Sequence, residues 1–466
     1  MKNTYFDLVD QTFYFPQEGF SLEDNKLFFN GIPIYELIKK YGTPLKLTYL
    51  PKIGSQIQKA HQLFESAIEK YNYKGKYFYS YCTKSSHFKY VLDEVLQNIT
   101  QLETSSSFDI DLIRRLYERG KINKNTVVIN NGYKTVEYAQ KISSLINDGF
   151  SNVIPVLDNK DELAYYEKYI HQSVTQIGMR IATEEEPNFE FYTSRLGLRQ
   201  SEVMDYYREN IADNPKFKLK MLHFFVDTGI KDTIYYWSEL KKGLKIYCQL
   251  KKICPDLEAI NIGGGLPIRN SLSTEYDYQY MVDEIVRLIN DACEDEGVPD
   301  PDIYSEFGKF TVGESGATIF SVIGQKQQND SELWYMVDNS LMNTLPDAWG
   351  ISERFILLPI NHWEREYQRI NIGGISCDNS DYYNSETHMN QVFMPKFEHG
   401  KDEPLYLGFF HTGAYQDALS GYGGIKHCLI PSPKHILVDR NFKGDLLDWQ
   451  AAPEQNAESM LKILGY

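Results

Sequence analysis

Cysteine is sparse in this sequence, and its spacing gives no sign of a disulfide framework or a structural metal site. The 466-residue chain has six cysteines, at positions 82, 248, 254, 293, 377 and 428, and no CxxC pair. A chain of this length can build a core without disulfides, and structural zinc needs closely spaced ligands. We therefore expect reduced thiols in a cytoplasmic protein and no structural zinc.

Long apolar runs are also missing. Nothing in the sequence approaches the roughly 20 consecutive apolar residues that a membrane-spanning helix requires. The opening stretch MKNTYFDLVDQTFYF lacks the charged start and apolar run of a secretory signal. The sequence thus predicts no membrane partner.

Positive charge is in deficit. The chain has 48 Lys and Arg residues against 64 Asp and Glu residues, which gives a net charge of −16. Such a chain repels nucleic acid. The acidic balance suits small cationic substrates, although an ordinary acidic cytosolic surface is the commoner explanation.

A repeated pattern is present from about residue 77: a short apolar run rich in β-forming residues, a polar turn and a helical stretch. Strands that alternate with helices indicate βαβ units, and eight such units are typical of a (β/α)8 TIM barrel, a fold of the α/β class. The eight runs are YFYSYC (77–82), ITQLET (99–104), TVVIN (126–130), NVIPVLD (152–158), QIGMRIA (176–182), KMLHFFV (220–226), LEAINIG (257–263) and DIYSEF (302–307).

The rhythm changes after residue 310, where short alternating runs such as ELWYMVD and YQRINIGGI follow one another closely. This spacing predicts a second domain, an antiparallel β-sandwich or barrel. The segment KLFFNGIPI near the start alternates in the same way. We predict a barrel domain over 41–310 and a β domain made of 1–40 plus 311–466.

Candidate functional residues follow the predicted strands, at the barrel mouth where such enzymes place their chemistry. Lys84 follows the first strand, and an amine in a partly desolvated mouth is a good nucleophile for an aldehyde. Gly263, Gly264 and Gly265 follow the seventh strand and can bring backbone amides to a phosphate, helped by Thr228 and Gly229 after the sixth. An ordinary surface lysine and a tight turn are the alternatives.

An amine nucleophile beside a phosphate cradle indicates a phosphorylated aldehyde, and pyridoxal phosphate is the obvious one. Glu306, after the eighth strand, would then hold the pyridine nitrogen protonated, which makes the ring a strong electron sink. A strong sink favours decarboxylation over racemisation. A salt bridge, for example with Arg180, is the alternative for Glu306 and is compatible with that role.

Three longer segments carry a family resemblance: LPDAWGISERFILLPI, ISCDNSD and LGFFHTGAYQDALSG. From about Tyr41 to its end the chain resembles the fold-type-III, group IV pyridoxal-phosphate decarboxylases, the alanine-racemase-like barrel enzymes that act on ornithine, arginine and diaminopimelate. Within that family these segments look like the biosynthetic arginine decarboxylases.

The resemblance implies a role for each matching residue. Lys84 would bind the cofactor aldehyde covalently, Glu306 would pair with the ring nitrogen, and Cys377 would protonate the α-carbon. Asp378 would bind the distal cationic end of the substrate in a homodimer whose subunits share active sites. The further cofactor-binding residues would be Arg180, Phe225, Thr228, Gly263, Gly264, Gly265, Lys309 and Tyr415.

The chain departs from the family pattern at three motifs. Phe225 stands where a histidine stacks on the ring, which a phenyl face can also do, and Asp227 replaces a glycine. Lys309 replaces an arginine, so it would meet phosphate as a point charge. The third motif reads Ser194-Arg195-Leu196-Gly197, a milder change.

The loop ISCDNSD agrees with a basic substrate because Asp378 and Asp381 can both accept hydrogen bonds from a guanidinium. A solvated acidic loop or an Asx turn is the alternative for this pair. Beside a carboxylate, Cys377 should have a raised pKa and act as an acid.

These observations and the resemblance predict decarboxylation of L-arginine to agmatine and carbon dioxide in polyamine (spermidine) biosynthesis. Decarboxylation of ornithine, lysine, diaminopimelate or carboxynorspermidine stays open, as do a racemase and a non-catalytic regulator. The resemblance leaves a role for Mg2+ open, although no carboxylate cluster indicates a metal site.

Overall fold

The computed structural model describes residues 15–98, 100–171, 174–184, 193–273, 275–383 and 392–466. The chain divides into two compact units. The barrel unit contains Gly54–Pro267 and Tyr276–Thr311, and the β unit contains the described residues up to Ile53, together with Ile268–Glu275 and Val312–Tyr466. None of the described helices is long and apolar enough to cross a bilayer.

Eight parallel strands close the barrel, and each overlaps one of the eight predicted runs, so the predicted barrel is confirmed. The fifth and sixth strands begin earlier than their predicted runs, at Thr175 and at Phe217. The eighth strand pairs with the first, with Ile303 opposite Tyr77. In chain order the strands are Tyr77–Cys82, Gln101–Thr104, Val128–Asn130, Val153–Leu157, Thr175–Arg180, Phe217–His223, Ala259–Asn261 and Asp302–Glu306.

Helices alternate with these strands, and polar caps fix where several of them begin. Ser106 and Asp109 form a reciprocal capping box, and Thr135, Thr233 and Asp277 each accept a backbone N–H at a helix start. The helices are Leu50–Lys70, Lys89–Val95, Ser107–Glu118, Val136–Asn147, Glu162–Tyr169, Val203–Asn210, Ile234–Lys251, Tyr278–Glu296 and the short Lys309–Val312.

The β unit has a three-stranded antiparallel sheet and a ten-stranded sheet. The small sheet is Phe20–Glu23, Lys26–Phe29 and Ile32–Pro33, so the segment KLFFNGIPI belongs to this unit. The large sheet contains Leu45–Tyr49, Gly316–Asn329, Glu332–Val337, Ile356–Pro359, Tyr367–Gly373, Tyr382–Tyr383, Val392–Pro395, Tyr406–Phe410, Lys434–Arg440 and Leu446–Ala452. Helices Ile34–Tyr41, Leu341–Thr344, Pro346–Ile351, Gln416–Leu419 and Ala457–Ile463 complete it.

The predicted all-antiparallel pairing is wrong at two places in the large sheet. Glu332–Val337 runs parallel to Tyr367–Gly373, and Leu45–Tyr49 runs parallel to Lys434–Arg440. Leu45–Tyr49 also pairs with Gly316–Asn329, which makes it an interior strand of the sheet. Because this strand belongs to the β unit, the boundary lies after Ile53 and not at residue 40 as expected.

Candidate active site

Lys84 lies in a short 3-10 turn, Thr83–Ser85, directly after the first barrel strand. Two buried hydroxyls hold this turn in place. The Thr83 hydroxyl donates to the Glu103 carbonyl, and the Ser85 hydroxyl donates to the Cys82 carbonyl. The Lys84 Nζ lies 3.2 Å from Glu103 Oε2 and 3.3 Å from Ser105 Oγ. The amine thus stands beside a fully buried carboxylate at the end of the second strand.

Glu306, the last residue of the eighth strand, is 6% exposed. Its Oε1 accepts from Asn131 Nδ2 at 2.8 Å and from Asn261 Nδ2 at 2.6 Å. Burial alone raises the pKa of Glu306, but the His223 ring, the Lys84 ammonium and the Asn131 amide outweigh it and bring the pKa to about 2. Glu306 is therefore a buried anion at neutral pH.

His223 and Asn261 are site residues that the sequence reasoning missed. His223 ends the sixth strand, is 1% exposed, and has its Nε2 3.5 Å from Glu306 Oε2. Asn261 ends the seventh strand. Both are polar residues at the carboxyl end of an apolar strand, which is the signal by which they could have been found.

Arg180 ends the fifth strand and is 7% exposed. Burial lowers the pKa of its guanidinium, against the attraction of Asp158, Glu306 and Glu103. In the described part of the chain its Nε has no hydrogen-bond partner, and no ion pair joins it to Glu306 within 4.0 Å. The alternative of a direct Arg180–Glu306 salt bridge is therefore wrong, and the Nε–H is a buried donor without a partner among the described residues.

The glycines after the seventh strand form a turn that has no room for side chains. Gly263 and Gly265 have φ of +69° and +95°, which favours glycine. A Cβ on Gly264 would lie 2.6 Å from the Glu306 carbonyl oxygen, and one on Gly265 would lie 2.6 Å from Gly229 Cα. The turn therefore packs backbone against backbone beside the sixth and eighth strand ends.

Phe225, Thr228 and Lys309, the further residues predicted to bind the cofactor, are all half-buried. The Phe225 ring packs against Gly263, where a Cβ would lie 2.9 Å from Phe225 Cδ2. The Arg180 guanidinium carbon lies 5.7 Å from the centre of the Phe225 ring. The Gly229 amide donates to the Val226 carbonyl at 3.0 Å, so the expectation that it serves phosphate is wrong.

In the β unit, Cys377 and Asp378 lie on an exposed turn. The Cys377 Sγ lies 3.5 Å from Cys428 Sγ. The pKa of Cys377 is raised, as expected, but Cys428 is the main cause and Asp378 a minor one. The carboxylate of Asp378 is 3.9 Å from His427 Nε2.

Asp381 is placed differently from its predicted role in substrate binding. It is 4% exposed, and its carboxylate accepts from Ser340 Oγ at 3.1 Å, Met342 N at 3.1 Å and Ser376 N at 3.0 Å. These three donors come from the protein itself and satisfy the carboxylate. The interpretation of Asp381 as a guanidinium ligand is replaced by a structural one, because the side chain anchors the turn that carries Cys377.

Tyr415 has φ +67° and ψ −30°, an uncommon conformation for a residue with a side chain. It precedes the helix Gln416–Leu419, whose first residue is tied to Asp347 by two hydrogen bonds. Gln416 Nε2 donates to Asp347 Oδ2 at 2.8 Å, and the Asp347 amide donates to Gln416 Oε1 at 3.3 Å. The segments LPDAWG and GAYQ thus hold each other in place.

The barrel mouth fits pyridoxal phosphate. It offers an amine at Lys84, a turn of glycines without side chains, an ionised carboxylate at Glu306 and an unsatisfied buried donor on Arg180. Among the described residues no group of three or more His, Cys, Asp or Glu side chains could hold a metal ion.

Comparisons with known proteins agree with this geometry. The biosynthetic arginine decarboxylase of Prochlorococcus marinus is 23% identical over 94% of this chain and 85% of that protein. The solved biosynthetic arginine decarboxylase of Campylobacter jejuni covers 99% of this chain and 90% of its own, at 20% identity and a TM-score of 0.77. The diaminopimelate decarboxylase of M. jannaschii covers 96% and 98%, at 16% identity and a TM-score of 0.78.

These structural likenesses establish the fold, a TIM barrel with a β domain. The family is established separately, because residues 54–313, more than half of the chain, match the family model described as "Pyridoxal-dependent decarboxylase, pyridoxal binding domain". The chain belongs to the pyridoxal-dependent decarboxylases.

Proposed function

We propose that this enzyme decarboxylates L-arginine to agmatine and carbon dioxide, a reaction that would supply polyamine biosynthesis. The buried, ionised Glu306 carries the proposal, because an anion at the ring nitrogen is what a decarboxylating pyridoxal enzyme requires. Support for arginine comes from Asp378, an exposed anion beside the thiol of Cys377, and from relatives named biosynthetic arginine decarboxylase.

The barrel residues would bind and orient the cofactor. Lys84 would hold its aldehyde carbon covalently, and Gly264 and Gly265 with Thr228 would bind its phosphate through amides and a hydroxyl. The Gly263 amide donates to Asn261 Oδ1 at 2.9 Å, so the expectation that it serves phosphate is wrong. Bound pyridoxal phosphate supplies an electron sink for the charge left when carbon dioxide departs. Glu306 would keep the ring nitrogen protonated through Oε2, the oxygen to which neither Asn131 nor Asn261 donates.

Other residues would complete the cofactor site. The Phe225 ring would lie against the pyridine face, and Arg180 beside it would use its free Nε–H. Lys309 and Tyr415 would add a charge and a hydroxyl for the phosphate.

The β unit would supply the groups that act on the substrate. The raised pKa of Cys377 keeps its thiol protonated at neutral pH, so the thiol can deliver a proton to the α-carbon. The Asp378 carboxylate would accept hydrogen bonds from the distal guanidinium, which presents a planar pair of donors.

We also propose a homodimer whose active sites combine residues of both subunits. Large apolar side chains stay exposed on the β unit near these segments, including Trp349, Ile351, Ile375, Leu419, Ile425 and Leu429. Mixing equal amounts of Lys84→Ala and Cys377→Ala proteins should restore about a quarter of wild-type activity if each heterodimer rebuilds one intact site. No recovery after subunit exchange would contradict shared sites.

The substrate proposal is tested by a panel of L-arginine, L-ornithine, L-lysine and diaminopimelate with added pyridoxal phosphate, in which carbon dioxide and the amine product are measured. Arginine should give the highest kcat/KM. Equal or faster turnover of another amino acid would overturn the substrate, and formation of D-arginine would indicate a racemase.

The cofactor role of Lys84 is tested separately by absorbance. Lys84→Ala should abolish the visible band of the protein-bound cofactor, while Lys89→Ala, a change of an exposed lysine on the next helix, should keep it. A wild-type protein that binds no cofactor would favour a non-catalytic regulator.

The competing diaminopimelate activity has one specific observation in its favour, the likeness in fold to a diaminopimelate decarboxylase. That substrate carries a second carboxylate, which needs a cation. The turn beside Cys377 offers the anion Asp378 instead, so we favour a substrate with a cationic end.

A further inference from the structure

Cys377 and Cys428 are the two exposed cysteines among the six, and the other four are buried. They are 51 positions apart in the sequence, yet their sulfurs lie 3.5 Å from each other. A disulfide needs a separation of about 2.05 Å. Closing it would take a shift of about 1.5 Å, which two exposed side chains can make by rotation.

Both turns that carry the thiols are anchored to the same segment, Asn339–Thr344. On the Cys377 side, the Ile375 amide donates to the Asn339 carbonyl, and Asp381 accepts from Ser340 and Met342. The proximity on this side is therefore built into the fold.

On the Cys428 side, Asn343 Nδ2 donates to the His427 carbonyl at 2.9 Å and Asn339 Nδ2 to the Pro431 carbonyl at 3.1 Å. Cys428 and Leu429 have φ of +54° and +53°, an unusual pair of left-handed residues without glycine. The strained turn presents the Cys428 side chain to Cys377, and its anchors hold it there.

We propose that Cys377 and Cys428 form a reversible intramolecular disulfide that switches the enzyme off. The loss of activity rests on the proposed function, in which Cys377 delivers the proton to the α-carbon. Formation of the disulfide itself rests only on the geometry of the two turns.

The oxidant is a low-molecular-weight disulfide, RSSR. The thiolate of one cysteine attacks RSSR, forms a mixed disulfide and releases RS⁻, which takes up a proton as RSH. The thiolate of the second cysteine then attacks the protein-bound sulfur, and the second RS⁻ leaves and is protonated. The protein loses two protons and two electrons, and RSSR is reduced to two RSH.

The second thiol beside Cys377 makes the outcome different from a mixed disulfide on a single cysteine. On a lone exposed cysteine the reaction would stop at the mixed disulfide with RS. Excess RSH would then reduce that mixed disulfide readily. An adjacent thiol expels the RS group at once, because the second attack is intramolecular and benefits from a high effective concentration. The disulfide should therefore persist where a mixed disulfide does not.

The test uses the reduced, cofactor-loaded protein in glutathione buffers in which the reduced form is in about tenfold excess. After acid quenching, the protein is denatured and alkylated. Two of the six cysteines should escape alkylation in the wild type, and the intact mass should show no glutathione. A digest should yield one peptide linked through Cys377 and Cys428.

Activity should fall at least about tenfold in the same buffer and return with dithiothreitol, because the proton donor is consumed. Cys428→Ser should keep its basal activity and most of it in the oxidising buffer, and Cys428→Ala should repeat this result. The four buried cysteines serve as internal controls that stay alkylatable after denaturation.

Six alkylated cysteines at every glutathione ratio, or glutathione adducts without the linked peptide, would overturn the proposal. Inactivation of Cys428→Ser along the same curve as the wild type would also overturn it. Alkylation and mass do not depend on turnover, so a protein that forms the disulfide but decarboxylates nothing would count against the proposed function alone.

Discussion

Glu306 is a charged group kept inside a protein, which is costly unless the charge is paired and hydrogen-bonded. Two asparagine amides, from Asn131 and Asn261, converge on Oε1, while Oε2 faces His223. The amides stabilise the anion without neutralising it. Oε2 accepts from neither amide, so it is the oxygen that would meet a protonated pyridine nitrogen, with His223 Nε2 3.5 Å away.

Replacing Glu306 by glutamine should therefore cost catalysis far more than binding. Glu306→Gln removes the negative charge but keeps the shape, and kcat should fall about 10²- to 10⁴-fold because the ring loses its proton. Steady-state kinetics with saturating cofactor measure this.

Glu162→Gln is the matched control, since Glu162 is a buried carboxylate of the same barrel bonded to the Lys134 and Asp158 amides. It should lower stability while leaving kcat close to that of the wild type. A Glu306→Gln enzyme within about twofold of wild-type kcat would contradict the assigned role.

Asp378 and Asp381 are three residues apart and should respond oppositely to the same change. Asp378 is exposed, and asparagine there keeps the oxygen that accepts from Ser380 N. Asp378→Asn should raise KM for the amino acid about tenfold or more through loss of charge pairing, with stability within about 0.5 kcal/mol.

Asp381→Asn should instead lower stability and leave KM for the amino acid close to that of the wild type. The amide would face donors from Ser340, Met342 and Ser376, so the free energy of unfolding should fall by about 1–3 kcal/mol. Urea unfolding and steady-state kinetics on both variants check the pair. If Asp378→Asn left KM unchanged, Asp378 would not be the group that binds the distal cation.

At the scale of elements, the turn Gly263–Gly265 is tightly packed between neighbouring strand ends. The Glu306 amide donates to the Gly263 carbonyl, and the Ile230 amide donates to the Gly265 carbonyl. The same turn therefore fixes both the proposed phosphate cradle and the backbone of the carboxylate that would meet the ring.

Gly264→Ala should weaken the cofactor site. Its Cβ would lie 2.6 Å from the Glu306 carbonyl oxygen, so the backbone must shift. We expect cofactor affinity, measured by fluorescence titration, to fall about tenfold or more and stability to drop by about 1–3 kcal/mol.

Gly243→Ala is the control within the same barrel unit. Gly243 is in the helix Ile234–Lys251, and a Cβ there would make an ordinary 3.5 Å contact with Phe224 Cδ1. Alanine favours the helix by about 0.5–1 kcal/mol, so this variant should be as stable as the wild type or slightly more stable. Equal cofactor affinity of both variants would show that the turn is not the cradle.

The barrel could be predicted because each strand is a local apolar run followed by polar residues, a signal confined to a few neighbouring positions. The parallel strand pairs of the β unit could not be predicted in this way. Leu45–Tyr49 and Lys434–Arg440 are far apart in the sequence and come together only in the complete fold. Lys84 and Glu306 were found by position at strand ends. His223 has the same local signal, but its contact with Glu306 was not foreseen, because Glu306 comes from a strand 83 residues later in the chain.

Asp381 shows the opposite failure. Its sequence context, two aspartates in a polar turn, suggested a ligand for a cation. The three donors that satisfy it come from residues 340, 342 and 376. Sequence spacing gives no measure of such burial, because the donors at 340 and 342 lie on a separate helix start.

At the scale of the molecule, the β unit should lose stability in acid through a buried histidine. His435 is 4% exposed and hydrogen-bonded to Thr48 Oγ1 at 2.9 Å. Burial lowers its pKa to about 4, with the attraction of Asp417 and the repulsion of Lys46 as smaller effects. Between pH 6.5 and about 4, His435 is protonated in the unfolded chain but stays neutral in the folded one.

The folded pKa lies below the unfolded one, so the stabilisation is complete above pH 6.5 and is lost as the pH falls through about 4. The loss should reach about 3 kcal/mol. Urea unfolding at a series of pH values measures it.

His435→Gln should flatten this part of the pH profile, whereas His399→Gln, a change of an exposed histidine in the same unit, should leave it as in the wild type. An unchanged slope in His435→Gln would mean that other groups drive the loss. His411, whose pKa burial also lowers, is the next group to replace.

The strand Leu45–Tyr49 lies inside the large sheet, between partners that the ribosome makes much later. At about 5–20 residues per second, Lys434–Arg440 emerges roughly 20–80 s after it. The whole barrel sequence is synthesised in that interval and can fold on its own local pairings. The early strand meanwhile has both edges unpaired until Gly316–Asn329 is made, and one edge unpaired until Lys434–Arg440 is made.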